Sequence, residues 1–437
     1  MPATLPADLQ HQNLTSFKSE EYKTGMIDRW YRSRLESQIR KPFVHVLFGA
    51  RQTGKTTLLN RLLSQASLRL NLADPEERTR FLADPGLFRK ECEALTTRDQ
   101  PAVVYVDEAQ AVPAVFDAVQ VLYDRSRDRW RFVLCGSSAR KLRKTGANLL
   151  PGRSMMHRLF PLVLAERPPQ PGGQPLRRQP LIPLGNEAEL SSTFPPAGLE
   201  ERLAYGELPG IVLLSPDDRQ AVLRSYVTAH LEEEMRREAL VRDWGAFVNF
   251  LRLAARESGG ITNFAAISKE VGLSQPTVKS YYQLLEDMFI GFTVPAYSKS
   301  PRKNLLSTPR FFLFDLGIQH AASGVRPDPN VIRASPGRYF ENWVGIEIWK
   351  RLQYSGTGQL SYFRTKDGAE VDYVVELPDR TIAVEVKWTE RPSLQDVTSL
   401  VMFLRDHRQV REGYVVCRCP RPLRLSPSIL ALPWQHL

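Results

Sequence analysis

The stretch Val44-His-Val-Leu-Phe48, Gly49-Ala-Arg-Gln-Thr-Gly54-Lys55-Thr56-Thr57, Leu58-Leu-Asn-Arg-Leu-Leu63 constrains the fold more than any other part of the chain. An apolar run of strand length enters a loop bracketed by glycines and leaves it as a helix, the order a phosphate-binding loop requires. Gly49 and Gly54 tolerate backbone angles that wrap successive N–H groups around a β-phosphate, at a helix N-terminus whose dipole favours anions. Lys55 is placed to reach the β- and γ-phosphates, and the Thr56 hydroxyl to ligate magnesium. Gln52, Thr53 and Thr57 complete the expected nucleotide contacts, so ATP and Mg2+ are the expected cofactors.

The surroundings fit that reading. From about residue 25 to 166, short apolar strands (Val44–Phe48, Leu68–Leu72, Val103–Val106, Phe132–Leu134) alternate with helical patterns, which predicts a parallel α/β sheet. The strand Val103-Val-Tyr-Val106 ends in Asp107 and Glu108, at the edge where such sheets place ligands. Asp107 is expected to hold magnesium, and Glu108 to orient and deprotonate the attacking water. Asp107-Glu-Ala-Gln110 looks like a helicase box, but other helicase motifs are missing. The strand Phe132-Val-Leu-Cys-Gly136 runs into Ser137-Ser138, and Ser138 is the polar residue expected near the γ-phosphate or the water. Between Ala139 and Phe160 there are six Lys or Arg and no acidic residue. Arg153 and Arg140 are candidates for an arginine supplied in trans to a neighbouring copy; the alternative is a basic DNA-facing or solvated surface.

A length of 437 residues suggests about three domains. The net charge of +11 points towards a polyanionic partner, nucleic acid first. No apolar run approaches the ~18 residues needed to cross a bilayer, and residues 1–12 lack the features of a signal peptide, so a cytoplasmic location is expected. Cys92, Cys135, Cys417 and Cys419 show no zinc-site spacing, and the seven histidines are scattered, so neither a disulfide framework nor a zinc site is expected.

Gly49 to Thr57, Asp107 to Gln110, Gly136-Ser-Ser138, Pro151-Gly-Arg153 and His157-Arg-Leu-Phe-Pro161 together resemble one prokaryotic AAA+ ATPase family. The resemblance runs from about residue 25 to 410. It implies a P-loop core joined to a winged-helix segment and a C-terminal domain of largely uncharacterised function. The expected organisation is an N-terminal arm (1–24), the AAA+ core (25–166), a Pro-rich linker (167–197), a helical winged-helix unit (198–330) and a C-terminal α/β unit (331–437).

In the middle unit, Ile261–Val271, Gly272 and Ser274–Glu286 read as helix, tight turn, helix, with Ser274 as N-cap and Pro276 in the first turn. A second helix of this kind can enter a major groove, which would point Gln275, Thr277, Lys279 and Gln283 at DNA. The basic residues Lys299, Arg302, Lys303 and Arg310 follow where a wing would lie. A lid or a protein-binding unit is the alternative. In the C-terminal unit a helix opens with Tyr339-Phe-Glu341, its residues Phe340, Val344 and Ile348 on one face. Asp372 begins one strand of a hairpin, and Glu385 and Lys387 share a face of the next. Two or three carboxylates with a lysine are what a magnesium-dependent phosphodiesterase needs. The set Asp372, Glu385 and Lys387, with Glu341, is similar to the restriction-endonuclease-like motif, which implies either DNA binding or DNA cutting.

The leading expectation is a DNA-binding AAA+ ATPase that assembles into a ring, a hexamer by expectation, and remodels duplex or branched DNA. An ATP-driven assembly switch and an ATP-gated magnesium-dependent endonuclease are the alternatives.

Overall fold

The computed structural model describes residues 27–96, 100–137, 151–170, 180–182, 193–231, 235, 243–298 and 308–437. The expected N-terminal arm, Ser138, Arg140, Lys299, Arg302 and Lys303 lie outside the described residues.

The first unit begins with α1 (Tyr31–Ile39) and the strand β1 (Val44–Phe48), followed by α2 (Lys55–Leu62) and β2 (Leu68–Asn71). Helices α3 (Pro75–Ala83) and α4 (Leu87–Glu93) lead to β3 (Ala102–Asp107), α5 (Ala114–Arg125), β4 (Trp130–Gly136) and β5 (Ser154–Arg158). The five strands form one parallel sheet in the order β2-β3-β4-β1-β5. β1 is fully buried and β4 is buried except at Arg131, with helices on both faces, which is why they read as mostly apolar runs rather than alternating ones. The edge strand β5, Ser-Met-Met-His-Arg, is half polar and was not expected as a strand; it is held by its register with β1.

One contact in this sheet brings together two histidines far apart in sequence. His45 on β1 and His157 on β5 stack, with Nδ1 of the first 3.1 Å from Nε2 of the second. The Tyr31 hydroxyl lies 2.9 Å from His157 Nδ1, and the Lys41 carbonyl 3.2 Å from His45 Nε2. Burial, then the proximity of His45, pushes the His157 pKa down to about 3, and burial likewise lowers His45. The His157 ring is therefore neutral when folded at pH 5 and takes a proton near pH 6.5 when unfolded. Its contribution to stability is full above that pH and falls as pH drops, by up to about 1.4 kcal/mol per pH unit, and the lowered His45 pKa acts in the same direction. Urea unfolding at pH 7.5 and pH 5 checks this: His157→Asn is expected to flatten the pH slope. An equal slope in both proteins would show that the pair does not titrate on unfolding.

The middle unit is helical: α6 (Leu199–Tyr205), α7 (Pro209–Val212), α8 (Pro216–Ser225), a π-helical stretch (Tyr226–Leu231), α9 (Trp244–Arg256), α10 (Phe264–Val271) and α11 (Gln275–Asp287). β6 (Gly291–Val294) and β7 (Arg310–Leu313) then pair as an antiparallel hairpin. Ser274 caps α11, accepting from the Thr277 amide, and Gly272 makes the left-handed turn before it. Helices α12 (Leu316–Ser323) and α13 (Pro329–Ala334) lead to α14 (Pro336–Ser355).

After α14 come β8 (Gln359–Arg364), β9 (Glu370–Glu376), β10 (Thr381–Val386), α15 (Thr398–Asp406), β11 (Glu412–Cys417), β12 (Leu423–Ser426) and β13 (Ile429–Pro433). They build a mixed six-stranded sheet in the order β12-β13-β11-β10-β9-β8. Phe340, Val344 and Ile348 of α14 are fully buried on one side of it, while Leu400 and Phe403 of α15 cover the other. β10 is thus buried on both faces, and Glu385, which shares a face with Lys387 as expected, is itself buried.

Two further features differ from expectation. The Pro-rich segment 167–197 is not a free linker where it is described: Arg167, Leu181, Ile182, Phe194 and Ala197 are buried. Arg167 pairs with Glu201 and Glu207, and Arg202 pairs with Glu207 as well. The middle and C-terminal units also share one hydrophobic core, running from Leu199 and Phe250 through Phe312 and Trp343 to Trp434 and Leu437. Among the described residues no helix is long and apolar enough to cross a membrane.

Candidate functional site

The glycine loop leaves β1 at the carboxyl edge of the sheet. A Cβ on Gly49 would lie 2.3 Å from the Leu159 carbonyl oxygen, so the crossing of the β1 and β5 exits requires glycine there. Gly54 takes the left-handed conformation and starts α2. The Lys55 ammonium is buried and donates to the Gly49 and Ala50 carbonyls at 2.8 and 2.9 Å, which lays it across the mouth of the loop. Gln52, Thr56 and Thr57 are exposed. Thr53 points inward, its hydroxyl donating to the Ala50 carbonyl at 2.9 Å, so it offers the loop its backbone rather than its side chain.

Sequence reasoning missed the residue that braces this loop. Arg29 is buried and donates to the Thr53 carbonyl, to the Phe160 carbonyl at 2.7 Å and to Glu166 at 2.7 Å. Glu166, fully buried, also accepts from the Trp30 and Val163 amides at 2.7 and 2.9 Å.

Asp107 and Glu108 end β3, one strand over from the centre of the same edge. Asp107 is buried and its Oδ1 accepts from the Glu108 amide at 3.0 Å. Glu108 adopts a left-handed backbone (φ 49°), which turns the chain sharply off the strand. Its Oε2 accepts from Gln110 Nε2 and, at 3.4 Å, from the Ser137 hydroxyl, while Gln110 also reaches Ser137 at 3.2 Å. A Cβ on Gly136 would sit 2.4 Å from Gln110 Oε1, so glycine there lets Gln110 lie across the end of β4. The serine that the structure brings to Glu108 is thus Ser137, next to the expected Ser138. Arg153 lies at the opposite, amino-terminal edge of the sheet, beside the β5 start that pairs with Val44, and its Nε is 2.5 Å from Asp124. It does not reach the loop of its own chain.

The middle unit touches this site directly. Tyr226 donates to the Arg51 carbonyl at 3.4 Å, and Phe289, just beyond α11, stacks on Phe48 with centroids 5.6 Å apart. On α11 itself Gln275, Lys279 and Gln283 form an exposed stripe at four-residue spacing, with Lys279 packed over the Phe264 ring. Thr277 is half-buried and engaged with the Ser274 hydroxyl at 2.8 Å.

In the C-terminal sheet the structure brings Glu341, Asp372, Glu385 and Lys387 into one cluster. Lys387 Nζ is 2.8 Å from Glu385 Oε1, and Asp372 Oδ2 accepts from the Val386 amide at 2.7 Å. Burial, then the nearby Asp372 charge, raises Glu341 to about 7 and Glu385 to about 8. Glu385 Oε2 is buried without a hydrogen-bond partner, which leaves it free to accept a proton or a cation. Arg310, expected in a DNA-facing basic strip, is instead buried and bonded to Glu341 at 2.8 Å, because β7 faces this sheet. Among the described residues no three His, Cys, Asp or Glu side chains converge closely enough to hold a metal as they stand.

Residues 41–167 match the family described as AAA domain. Residues 197–329 and 336–437 match two families described as domains of unknown function, DUF8612 and DUF4143. Uncharacterized proteins of Mycobacterium tuberculosis and Mycobacterium bovis are each 24% identical over 437 residues, covering 99% of this chain and 89% of theirs. An uncharacterized protein of Haemophilus influenzae is 22% identical, covering 84% of this chain and 87% of its own. A solved Walker-type ATPase of Pyrococcus abyssi is 15% identical, covering 68% of this chain and 96% of its own, at a TM-score of 0.44. The strand–glycine loop–helix, the paired carboxylates on the same edge and the family match over the same residues agree in supporting a P-loop, AAA-like ATPase domain over residues 41–167.

Proposed function

We propose that the chain is a magnesium-dependent ATPase whose nucleotide cycle acts on DNA. The observation that carries it is the contact of Phe289 with Phe48. The helix with the exposed polar stripe ends on the strand that feeds the phosphate loop, so a nucleotide-driven shift in the loop has a short path to that stripe. The residues at the loop suit the cofactor: Thr56 is exposed on the first turn of α2 and Asp107 stands at the strand end. Held by Thr56 and Asp107, magnesium would supply positive charge to the phosphate oxygens. Lys55 leaves the loop carbonyls for the β- and γ-phosphates. Glu108, held by Gln110 and Ser137, orients water and takes its proton.

On this reading α10, α11 and the β6–β7 hairpin act as a winged helix, with Gln275, Lys279 and Gln283 against DNA; Lys299, Arg302 and Lys303, between β6 and β7 in sequence, add positive charge for the same partner. The copies form a ring. Arg153, on the order of 15 Å along β1 from its own loop, serves the next copy's site. The carboxylate cluster is a restriction-endonuclease-like site: Asp372 and Glu385 would hold magnesium, with Glu341 beside them and Lys387 stabilising a hydroxide.

ATP hydrolysis measured at low salt with duplex, single-stranded and four-way-junction DNA tests this. Stimulation by one form, weakened by Lys279→Glu, is the expected result. Turnover indifferent to all three would transfer the reading to an assembly switch.

A further inference from the structure

Arg310 belongs by backbone to the β6–β7 hairpin, pairing with Val294 and bridging to Ile261. Its guanidinium nevertheless lies among the carboxylates of the C-terminal sheet. One nitrogen is 2.8 Å from Glu341 Oε1, and another pairs with Glu370, two residues before Asp372 on β9. The Tyr362 ring lies 4.8 Å from its centre, and Arg310 as a whole is only 4% exposed. At the other end of the cluster Lys387 neutralises Glu385. Glu341, Glu370, Asp372 and Glu385 thus face three cations, Arg310, Lys387 and, 3.7 Å from Glu370, Arg364, and the unpartnered Glu385 Oε2 leaves room for further positive charge. Arg310 holds Glu341 beside the Asp372–Glu385 pair, so its charge and that of a divalent ion on that pair would repel each other across the cluster.

Resting on the magnesium-site reading above, we propose that Arg310 is a built-in competitor for the divalent cation, delivered by the helix–turn–helix unit to the carboxylate cluster of its neighbour. Arg310 holds Glu341 and Glu370, lowers the affinity of Asp372 and Glu385 for metal, and ties that affinity to the position of the hairpin. The hairpin is fastened to the same sheet: Tyr362 donates its amide to the Pro295 carbonyl at 3.0 Å and its hydroxyl to the Thr308 carbonyl at 2.6 Å. A ligand that pulls on the hairpin therefore acts on Arg310 and on the edge strand β8 together. Cation loading of the cluster becomes a response to what the middle unit binds, rather than a fixed property.

The test uses the full chain without nucleotide and Mn2+ as probe, reading free Mn2+ by electron paramagnetic resonance. Arg310→Gln is expected to tighten Mn2+ binding by about tenfold or more, since a unit charge a few ångströms from the ion is removed. Asp372→Asn is expected to abolish that binding in both backgrounds. Equal affinity in wild type and a folded Arg310→Gln variant overturns the competitor role. If Asp372→Asn still abolishes binding in that case, the magnesium-site reading stands. Mn2+ binding insensitive to Asp372→Asn overturns both. If Arg310→Gln does not fold, Arg310→Lys keeps the charge but loses the two-armed fork, and about a threefold tightening is expected. No shift there overturns the proposal equally.

Discussion

Glu108→Gln is expected to lower ATP turnover by about 10³-fold while leaving nucleotide affinity within about threefold of wild type. The substitution keeps the length and polarity of the side chain, and the left-handed backbone at this position suits Gln as well as Glu. What it removes is the basic oxygen. In the structure that oxygen is already fixed by Gln110 and by Ser137 at 3.4 Å, so the loss falls on proton transfer and water orientation rather than on the shape of the site. Nucleotide contacts reside in the loop 49–57 and are untouched. Phosphate release and equilibrium binding of a fluorescent ATP analogue measure the two quantities separately. Turnover within tenfold of wild type would remove Glu108 from the role of base, and affinity loss alone would make it a binding residue.

The second large effect concerns Glu166, a residue without any chemistry of its own. Glu166→Ala is expected to destabilise the P-loop domain by about 3–5 kcal/mol and to weaken ATP binding with it. The carboxylate is fully buried and is the counter-charge for Arg29, which is buried too. Deleting it leaves a guanidinium uncompensated, strands the Trp30 and Val163 amides, and loosens the brace on the Thr53 carbonyl. Glu166→Gln keeps an acceptor for the amides and is expected to cost roughly half as much. Urea denaturation followed by tryptophan fluorescence orders the three proteins. If Glu166→Ala unfolds at the wild-type midpoint, the Arg29–Glu166 pair contributes nothing to the loop.

Local motifs were legible because their physics is local. Strand, glycine loop and helix lie within 20 residues, and Asp107 and Glu108 follow their strand immediately. The brace was not legible: Arg29 and Glu166 are 137 residues apart, and each sits in an ordinary polar stretch. The approach of Ser137 to Glu108 was not legible either, because it needs the direction of the chain as it leaves β4. Strand β5 was hidden by its composition, since an edge strand with one face towards solvent carries no apolar run. Arg310 was misplaced for a related reason. A basic residue near other basic residues reads as surface, and only the pairing of β7 with Val294 and Ile261 aims it inward at Glu341 and Glu370. The His45–His157 pair escaped because it forms between adjacent strands whose neighbourhood no spacing rule reveals.

The core shared by residues 199–437 bears on how the chain emerges from a ribosome. The P-loop domain holds its five-stranded sheet within residues 44–158 and can begin to fold while the rest is being made. The middle helices cannot finish. Trp434 closes against Trp343 and the Arg202 side chain, and Leu181 donates its amide to the His436 carbonyl. Helices made early therefore wait, with their apolar faces uncovered, for some 200 residues of later synthesis. At about 5–20 residues per second that is an interval of ten seconds or more. Chaperone dependence during translation, and insolubility of fragments ending near residue 330, are the traits this architecture imposes on its host.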